Sequence, residues 1–240
     1  MEPDLSVIVP AYNEAATIEE ILRRVWNAPL RKEIIVVDDG SNDATAAIVE
    51  RLQNEITRLR LIRHEKNRGK GAAVRTGIAL AKGRAVIIQD ADLEYDPADY
   101  LDIVRPILIG EAEVVYGSRV LGNAPHSSLA FYLGGRLVTL VTNALYGSSL
   151  TDEPTCYKAF KRELLQSFAL RERGFGFCAE VTAKVLLGKH PIREVPISYK
   201  PRDRAHGKKI TWKDGLRTVW VLMKNRFGNT GAGTCLQKGQ

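Results

Sequence analysis

Ile34-Ile35-Val36-Val37-Asp38-Asp39-Gly40-Ser41 is an unbroken β-branched run that stops abruptly at acidic and turn-forming residues. A strand apolar on both faces must be covered on both sides, the habit of parallel sheets flanked by helices. Leu5 to Val9, Leu59 to Arg63 and Ala85 to Gln89 repeat the pattern. Between these runs lie stretches of helical periodicity, from about Thr17 to Trp26, Ala44 to Glu55 and Lys70 to Ala81. The first half therefore reads as an α/β unit with a parallel central sheet. Beyond it, Val114 to Gly117 and Ile192 to Tyr199 read as strands. Leu129 to Tyr146 reads as an apolar helix, Trp212 to Phe227 as a basic amphipathic helix, and the Gly-rich tail after Gly228 as frayed.

In sheets of this kind ligands bind at the carboxyl ends of the strands. Four such ends carry polar motifs. They are Pro10-Ala11-Tyr12-Asn13-Glu14, Asp38-Asp39-Gly40-Ser41, Asn67-Arg68-Gly69-Lys70-Gly71 opening a helix, and Asp90-Ala91-Asp92-Leu93-Glu94. On an extended chain Asp90 and Asp92 point the same way, with Glu94 close behind. Such hard oxygen donors suit Mg²⁺ or Mn²⁺ that completes its shell with substrate phosphate. Alone, Asp-x-Asp is equally a polar loop before the helix start at Asp96-Pro97. Asp39 can accept hydrogen bonds from a base or ribose, or can belong to an Asp-Gly turn. Gly69-Lys70-Gly71 can bring amides and a cation to a phosphate at a helix N-terminus, although the Walker spacing is missing. Four such motifs on one sheet edge exceed what turn chemistry alone supplies.

Composition narrows the classes. The chain has 240 residues, 45% hydrophobic and 26% charged, a globular balance that excludes a disordered chain. Cys156, Cys178 and Cys235 are odd in number and lack CxxC spacing, which speaks against a disulfide framework or zinc site. The net charge of +7 gathers late, from Lys200 to Lys213 and at Lys224 and Arg226, and suggests an anionic partner. Nothing resembles nucleic-acid recognition, so no nucleic acid is expected. Met1 to Asp4 lacks the basic start of a signal peptide, and Leu137 to Thr151 is too short to span a bilayer. The expected location is cytoplasmic.

These motifs, in their order, resemble the family 2 glycosyltransferases with the GT-A fold, in the dolichyl- or polyprenyl-phosphate mannosyltransferase and glucosyltransferase branch. The likeness runs from Ser6 through Glu14, Val37 to Asp43, Asn67 to Gly71 and Gln89 to Pro97, then Tyr116-Gly117-Ser118-Arg119. It continues through Thr151-Asp152, Thr155 to Lys158, Gly176-Phe177, Glu180 and Val195 to Tyr199, covering roughly residues 5 to 226. The resemblance implies one GT-A domain over 1–228, with a nucleotide-binding half to about 120, an acceptor half after it, and a flexible 229–240 tail. Pro10, Tyr12, Glu14, Val37 and Asp39 would hold the nucleoside, with Lys70 near phosphate. Asp90, Ala91, Asp92 and Glu94 would serve the metal and diphosphate, and Arg119 the phosphates or acceptor. Arg204 to Lys209 resembles the family's mobile basic loop, with Arg204, Lys208 and Lys209 as its cations. Two departures stand out. The loop often reads Arg-x-x-Gly-x-Ser-Lys, and Cys178 stands where many relatives carry the first Glu of Gly-Phe-Glu-x-Glu.

The implied reaction moves a hexose from a nucleotide-diphosphate sugar, such as GDP-mannose or UDP-glucose, with inversion. A lipid-phosphate acceptor needs no base because its oxygen is already ionised, whereas a saccharide or protein hydroxyl would need one, with Asp152 the candidate. The expected cofactor is Mg²⁺ or Mn²⁺. The expected partners are a lipid phosphate and, with the basic apolar late helices, a peripheral membrane contact at the inner face or a separate membrane protein. A sugar-nucleotide binder without activity is the alternative from another class. A signalling receiver is discounted, because the acidic pair follows the second strand rather than the first.

Overall fold

The computed structural model describes residues 2–125, 128–202 and 212–228. Seven strands and eight helices fill these residues: β1 (Leu5–Ala11), α1 (Ile18–Asn27), β2 (Lys32–Asp38), α2 (Thr45–Leu52), β3 (Leu59–Arg63), α3 (Lys70–Leu80) and β4 (Ala85–Ile88) come first. A 3-10 turn (Pro97–Asp99) leads to α4 (Tyr100–Leu108), β5 (Val114–Ser118), α5 (Leu129–Tyr146), β6 (Lys158–Lys161), α6 (Arg162–Ser167), α7 (Phe177–Leu187), β7 (Ile192–Pro196) and α8 (Trp212–Phe227).

The strands form one sheet in the order β3-β2-β1-β4-β6-β5-β7. β1 pairs in parallel with both β2 and β4, and β5 in parallel with β7, while β6 runs antiparallel between β4 and β5. The mostly parallel α/β sheet expected from the apolar runs is therefore present. All seven residues of β2 are buried, because alternate side chains feed different cores. Val36 joins the cluster under α1, α2 and α4, whereas Val37 joins the cluster under α3 and α7. A third cluster links Val138 of α5, Ala179 and Ala183 of α7, and Val221 and Leu222 of α8.

Helix patterns follow the same logic. In α1 the buried Ile18, Ile21, Leu22 and Val25 make one apolar stripe, and Glu19 pairs with Arg23 on the outer face. α3 lies close over β1. A Cβ on its Gly77 would stand 2.4 Å from Ile8 Cγ2, so only a hydrogen fits there.

β6, α6 and α7 were not anticipated from the sequence, and the strand expected over Ile192 to Tyr199 ends at Pro196. Past Ile197, whose N–H still donates to Ser118 of β5, the chain turns toward the β4 loop, where the Lys200 N–H donates to the Glu94 carbonyl at 2.8 Å. The expected tail after Gly228 lies outside the described residues.

Gly77→Val should lower unfolding stability by about 1–3 kcal/mol through overpacking against Ile8. Gly134→Ala, in α5 with open space around its Cα, should raise it by roughly 0.5–1 kcal/mol. Urea midpoints of the two variants check both signs.

Candidate active site

The strand order reverses direction of growth at β1, with β2 and β3 on one side and β4 on the other. A crevice at the carboxyl ends of the strands is the consequence. A cavity of about 1130 Å³ opens there and continues between α5 and α8. Its wall includes Pro10, Tyr12, Glu14, Asp39, Lys70, Asp90, Ala91, Asp92, Glu94, Arg119 and Asp152, all named from the sequence. Val37 is not among the lining residues. Strand alternation sends its side chain into the core beside Ile8 and Ile35, away from the cavity. Arg204, Lys208 and Lys209 lie outside the described residues.

The β1 and β2 loops are stitched together. The Asn13 N–H donates to Ser41 Oγ and Asn13 Oδ1 accepts from the Asn42 N–H, both at 2.9 Å. Asp39 is buried and its carboxylate is fully engaged. It accepts from the Arg68 N–H at 3.0 Å, the Gly69 N–H at 2.7 Å and faces His64 Nδ1 at 2.6 Å. His64 Nε2 in turn meets Thr76 Oγ1 at 3.0 Å. Asp39 thus holds the loop that opens α3. Gly69 takes φ 94°, and a Cβ there would fall 2.4 Å from the Arg173 carbonyl.

That loop presents Lys70, whose Nζ pairs with Asp90 Oδ1 at 2.6 Å and donates to Cys156 Sγ at 3.3 Å. Burial pulls the lysine's pKa down, but Asp90 together with Cys156 and Cys178 raises it by more, and the ammonium is held charged. The thiol of Cys178, hydrogen-bonded by Cys156 and near Lys158 and Lys70, has a lowered pKa despite its burial. Cys178 takes the place of the first Glu in the Gly-Phe-Glu-x-Glu pattern of many relatives.

The β4 loop departs from the extended geometry expected of it. The strand ends at Ile88 and the chain turns, with Leu93 at φ 64°. Buried Gln89 anchors the turn by accepting from Tyr100 Oη at 2.7 Å and Tyr157 Oη at 2.6 Å through one oxygen. Asp90 faces Lys70, whereas Asp92 Oδ2 faces the Arg202 guanidinium at 2.9 Å. Glu94, expected beside them as a third metal ligand, turns to the following segment instead. It accepts from Tyr199 Oη at 2.9 Å and the Arg202 N–H at 2.8 Å. Burial, then Asp90 and Glu94, push the Asp92 pKa up to about 6 against the pull of Arg202. A carboxylate so short of positive charge suits a cation. No group of three His, Cys, Asp or Glu side chains among the described residues could hold a metal by itself. Two carboxylates with vacant positions left to a diphosphate fit the way Mg²⁺ is usually bound.

Arg202 was missed by sequence reasoning. Its only signal was membership in the basic stretch after Lys200. Tyr95 and Tyr199 were missed as well. Their rings pack 5.2 Å apart, and Tyr199 lies beneath the Arg119 guanidinium at 5.1 Å.

Arg119 grips Asp152 bidentately, Nε to Oδ2 and a terminal nitrogen to Oδ1, each 2.8 Å, while its backbone N–H adds a third bond at 2.9 Å. Burial would raise the Asp152 pKa, but this grip brings it below the usual carboxylate range. With both oxygens engaged and a weak proton affinity, Asp152 is placed to position Arg119 rather than to take a proton.

The far wall is apolar and open. Leu137 of α5 and Leu216 of α8 line it, and Leu133, Leu140 and Trp220 stand at least half exposed elsewhere on the same helices. Arg136 of α5 donates to the Thr151 carbonyl at 3.0 Å. No described helix is long and apolar enough to cross a membrane.

The family model for glycosyl transferase family 2 matches residues 6–168. A dolichol-phosphate mannosyltransferase of Pyrococcus furiosus is 29% identical over 92% of this chain, which spans 64% of that protein's length. A UDP-N-acetylglucosamine–dolichyl-phosphate N-acetylglucosaminyltransferase of Methanococcus voltae is 30% identical, over 92% of this chain and 96% of its own. Among solved structures, glucosyl-3-phosphoglycerate synthase from Mycobacterium tuberculosis with Mn²⁺, UDP and phosphoglyceric acid superposes with a TM-score of 0.73. It is 23% identical over 96% of this chain and 81% of that one, a likeness of fold.

Asp152→Ala should strand the Arg119 charge and cost about 3 kcal/mol of unfolding stability. Because the folded pKa of Asp152 is depressed, the pair's stabilisation is present above the unfolded value of about 4 and is lost as pH falls through the lower folded value. Urea melts of wild type and variant should therefore converge only in strong acid.

Proposed function

The chain belongs to glycosyl transferase family 2, and from that membership we propose that it moves a hexose, with inversion, from a nucleotide-diphosphate sugar to a polyprenyl or dolichyl phosphate. One observation carries the reading. The Asp90–Asp92 carboxylates, the Lys70 and Arg119 cations and an apolar wall on α5 and α8 all line one cavity. A diphosphate leaving group and a lipid-borne phosphate need that combination. Residues 1–120 would then serve the donor, and 121–228 the acceptor together with the basic segment that reaches back to the donor site.

Transfer builds negative charge on the departing diphosphate. Lys70 and Arg119, held by Asp90 and Asp152 before any substrate arrives, offer preorganised positive charge to phosphate oxygens. Asp90 and Asp92 would hold Mg²⁺ or Mn²⁺, which supplies Lewis-acid stabilisation of the leaving group. The acceptor phosphate brings its own anionic oxygen. The weak proton affinity of Asp152 supports an acceptor that needs no general base. The names of the Pyrococcus and Methanococcus relatives point to the same acceptor class. The exposed leucines of α5 and α8, with Arg136, Arg217, Lys224 and Arg226 on the same helices, support peripheral attachment to an anionic inner membrane face.

Incubation with labelled GDP-mannose or UDP-glucose, Mn²⁺ and undecaprenyl or dolichyl phosphate should yield lipid-extractable label with one donor. Label appearing only on a saccharide or protein hydroxyl would overturn the acceptor assignment. Asp92→Ala should lower turnover by about two to three orders of magnitude, and unchanged turnover would overturn the metal assignment. Protons and metal compete for the Asp92 oxygens, so Mn²⁺ affinity measured by calorimetry should fall about tenfold per unit as pH drops below about 6.

A further inference from the structure

Arg202 occupies the space between Asp92, assigned to the metal, and Glu14, assigned to the nucleoside. One terminal nitrogen lies 2.9 Å from Asp92 Oδ2 and the other 3.6 Å from Glu14 Oε2. Its backbone N–H donates to Glu94 at 2.8 Å. Both partners of this ion pair are mostly buried, with side chains 18% exposed. The Arg202 Nε is itself buried and has no hydrogen-bond partner among the described residues. The guanidinium is thus a cation set among three carboxylates with one donor left unspent.

We propose that Arg202 is the resident counter-ion of the donor site, competing with the divalent cation for Asp92 and yielding it when a nucleotide diphosphate arrives. The inference rests on the reading that Asp92 holds the metal. Its physical basis is exchange. Asp92 cannot serve Arg202 and a metal fully through the same oxygens, and near Arg202 a divalent ion meets a like charge. A diphosphate resolves the conflict. It offers the guanidinium anionic oxygens suited to forked hydrogen bonding, the unspent Nε included, and donates further oxygens to the metal. Metal and nucleotide should therefore bind with positive coupling, and the coupling should pass through Arg202.

The test measures Mn²⁺ binding to the full chain by electron paramagnetic resonance, first alone and then with UDP or GDP. Arg202→Gln and Arg202→Met, each checked for folding by a thermal melt, should bind Mn²⁺ alone about tenfold more tightly than wild type, as for a lost opposing interaction of 1.4 kcal/mol. Both variants should gain less from the nucleotide than wild type does. Arg202→Lys should stay near wild type in the absence of nucleotide. Arg193→Gln, which removes a charge at the opposite end of β7 where Arg193 pairs with Glu111, should leave Mn²⁺ binding unchanged. The inference is overturned if the neutral Arg202 variants bind Mn²⁺ alone no better than wild type, or if Arg193→Gln does as much as they do. Asp92→Asn separates the two levels. If it leaves nucleotide-dependent Mn²⁺ binding intact, the metal reading itself fails. If it abolishes that binding while the Arg202 variants show no gain, only the counter-ion role fails.

Discussion

Buried carboxylates at one edge of a parallel sheet set the terms for everything around them. A carboxylate removed from water needs a cation or several N–H donors, or it takes up a proton. Here each finds a different answer. Asp39 takes the amides of Arg68 and Gly69 together with His64, Asp90 takes Lys70, and Asp152 takes Arg119 three times over. Each answer fixes a neighbouring loop. The opening of α3, the turn after β4 and the entry after β5 are placed by the acids they satisfy. Asp92 is the exception, with one guanidinium against several negative neighbours, and its pKa records the shortfall.

That shortfall links the resting site to its chemistry. Under the proposed function the site must carry negative charge for a divalent ion and positive charge for the phosphates. Among the described residues those charges pair with one another. Lys70–Asp90, Arg202–Asp92 and Arg119–Asp152 are the pairings that result. These pairs tie together segments that are remote in sequence.

The outer wall answers to a different constraint. α5 and α8 meet each other and α7 through Val138, Ala179, Ala183, Val221 and Leu222, which leaves leucines on their remaining faces uncovered. The apolar character of these helices was plain from composition. Which faces would be spent inside and which left open depended on how the three helices cross.

The amino-acid sequence by itself determined the strands β1 to β5 and the helices α1, α2 and α3, because continuous apolar runs and amphipathic stripes are local consequences of burial. It also singled out the polar strand ends, since a parallel sheet points them all one way. Other features belong to the tertiary structure alone. The four residues of β6 are a strand only because β4 and β5 offer free edges on either side. Val37 lies in a motif that touches the site, yet strand alternation turned it into the core. Asp90 and Asp92 looked like twin ligands on an extended chain, but the turn through Leu93 gave them different partners. Arg202 shows the limit most clearly. A lone arginine in a basic stretch carries no local signal, and only the path of the chain after Pro196 brings it against Asp92. Local hydrophobic pattern specifies elements, whereas long-range charge pairing is specified by topology, since partners 110 residues apart share nothing that spacing can reveal.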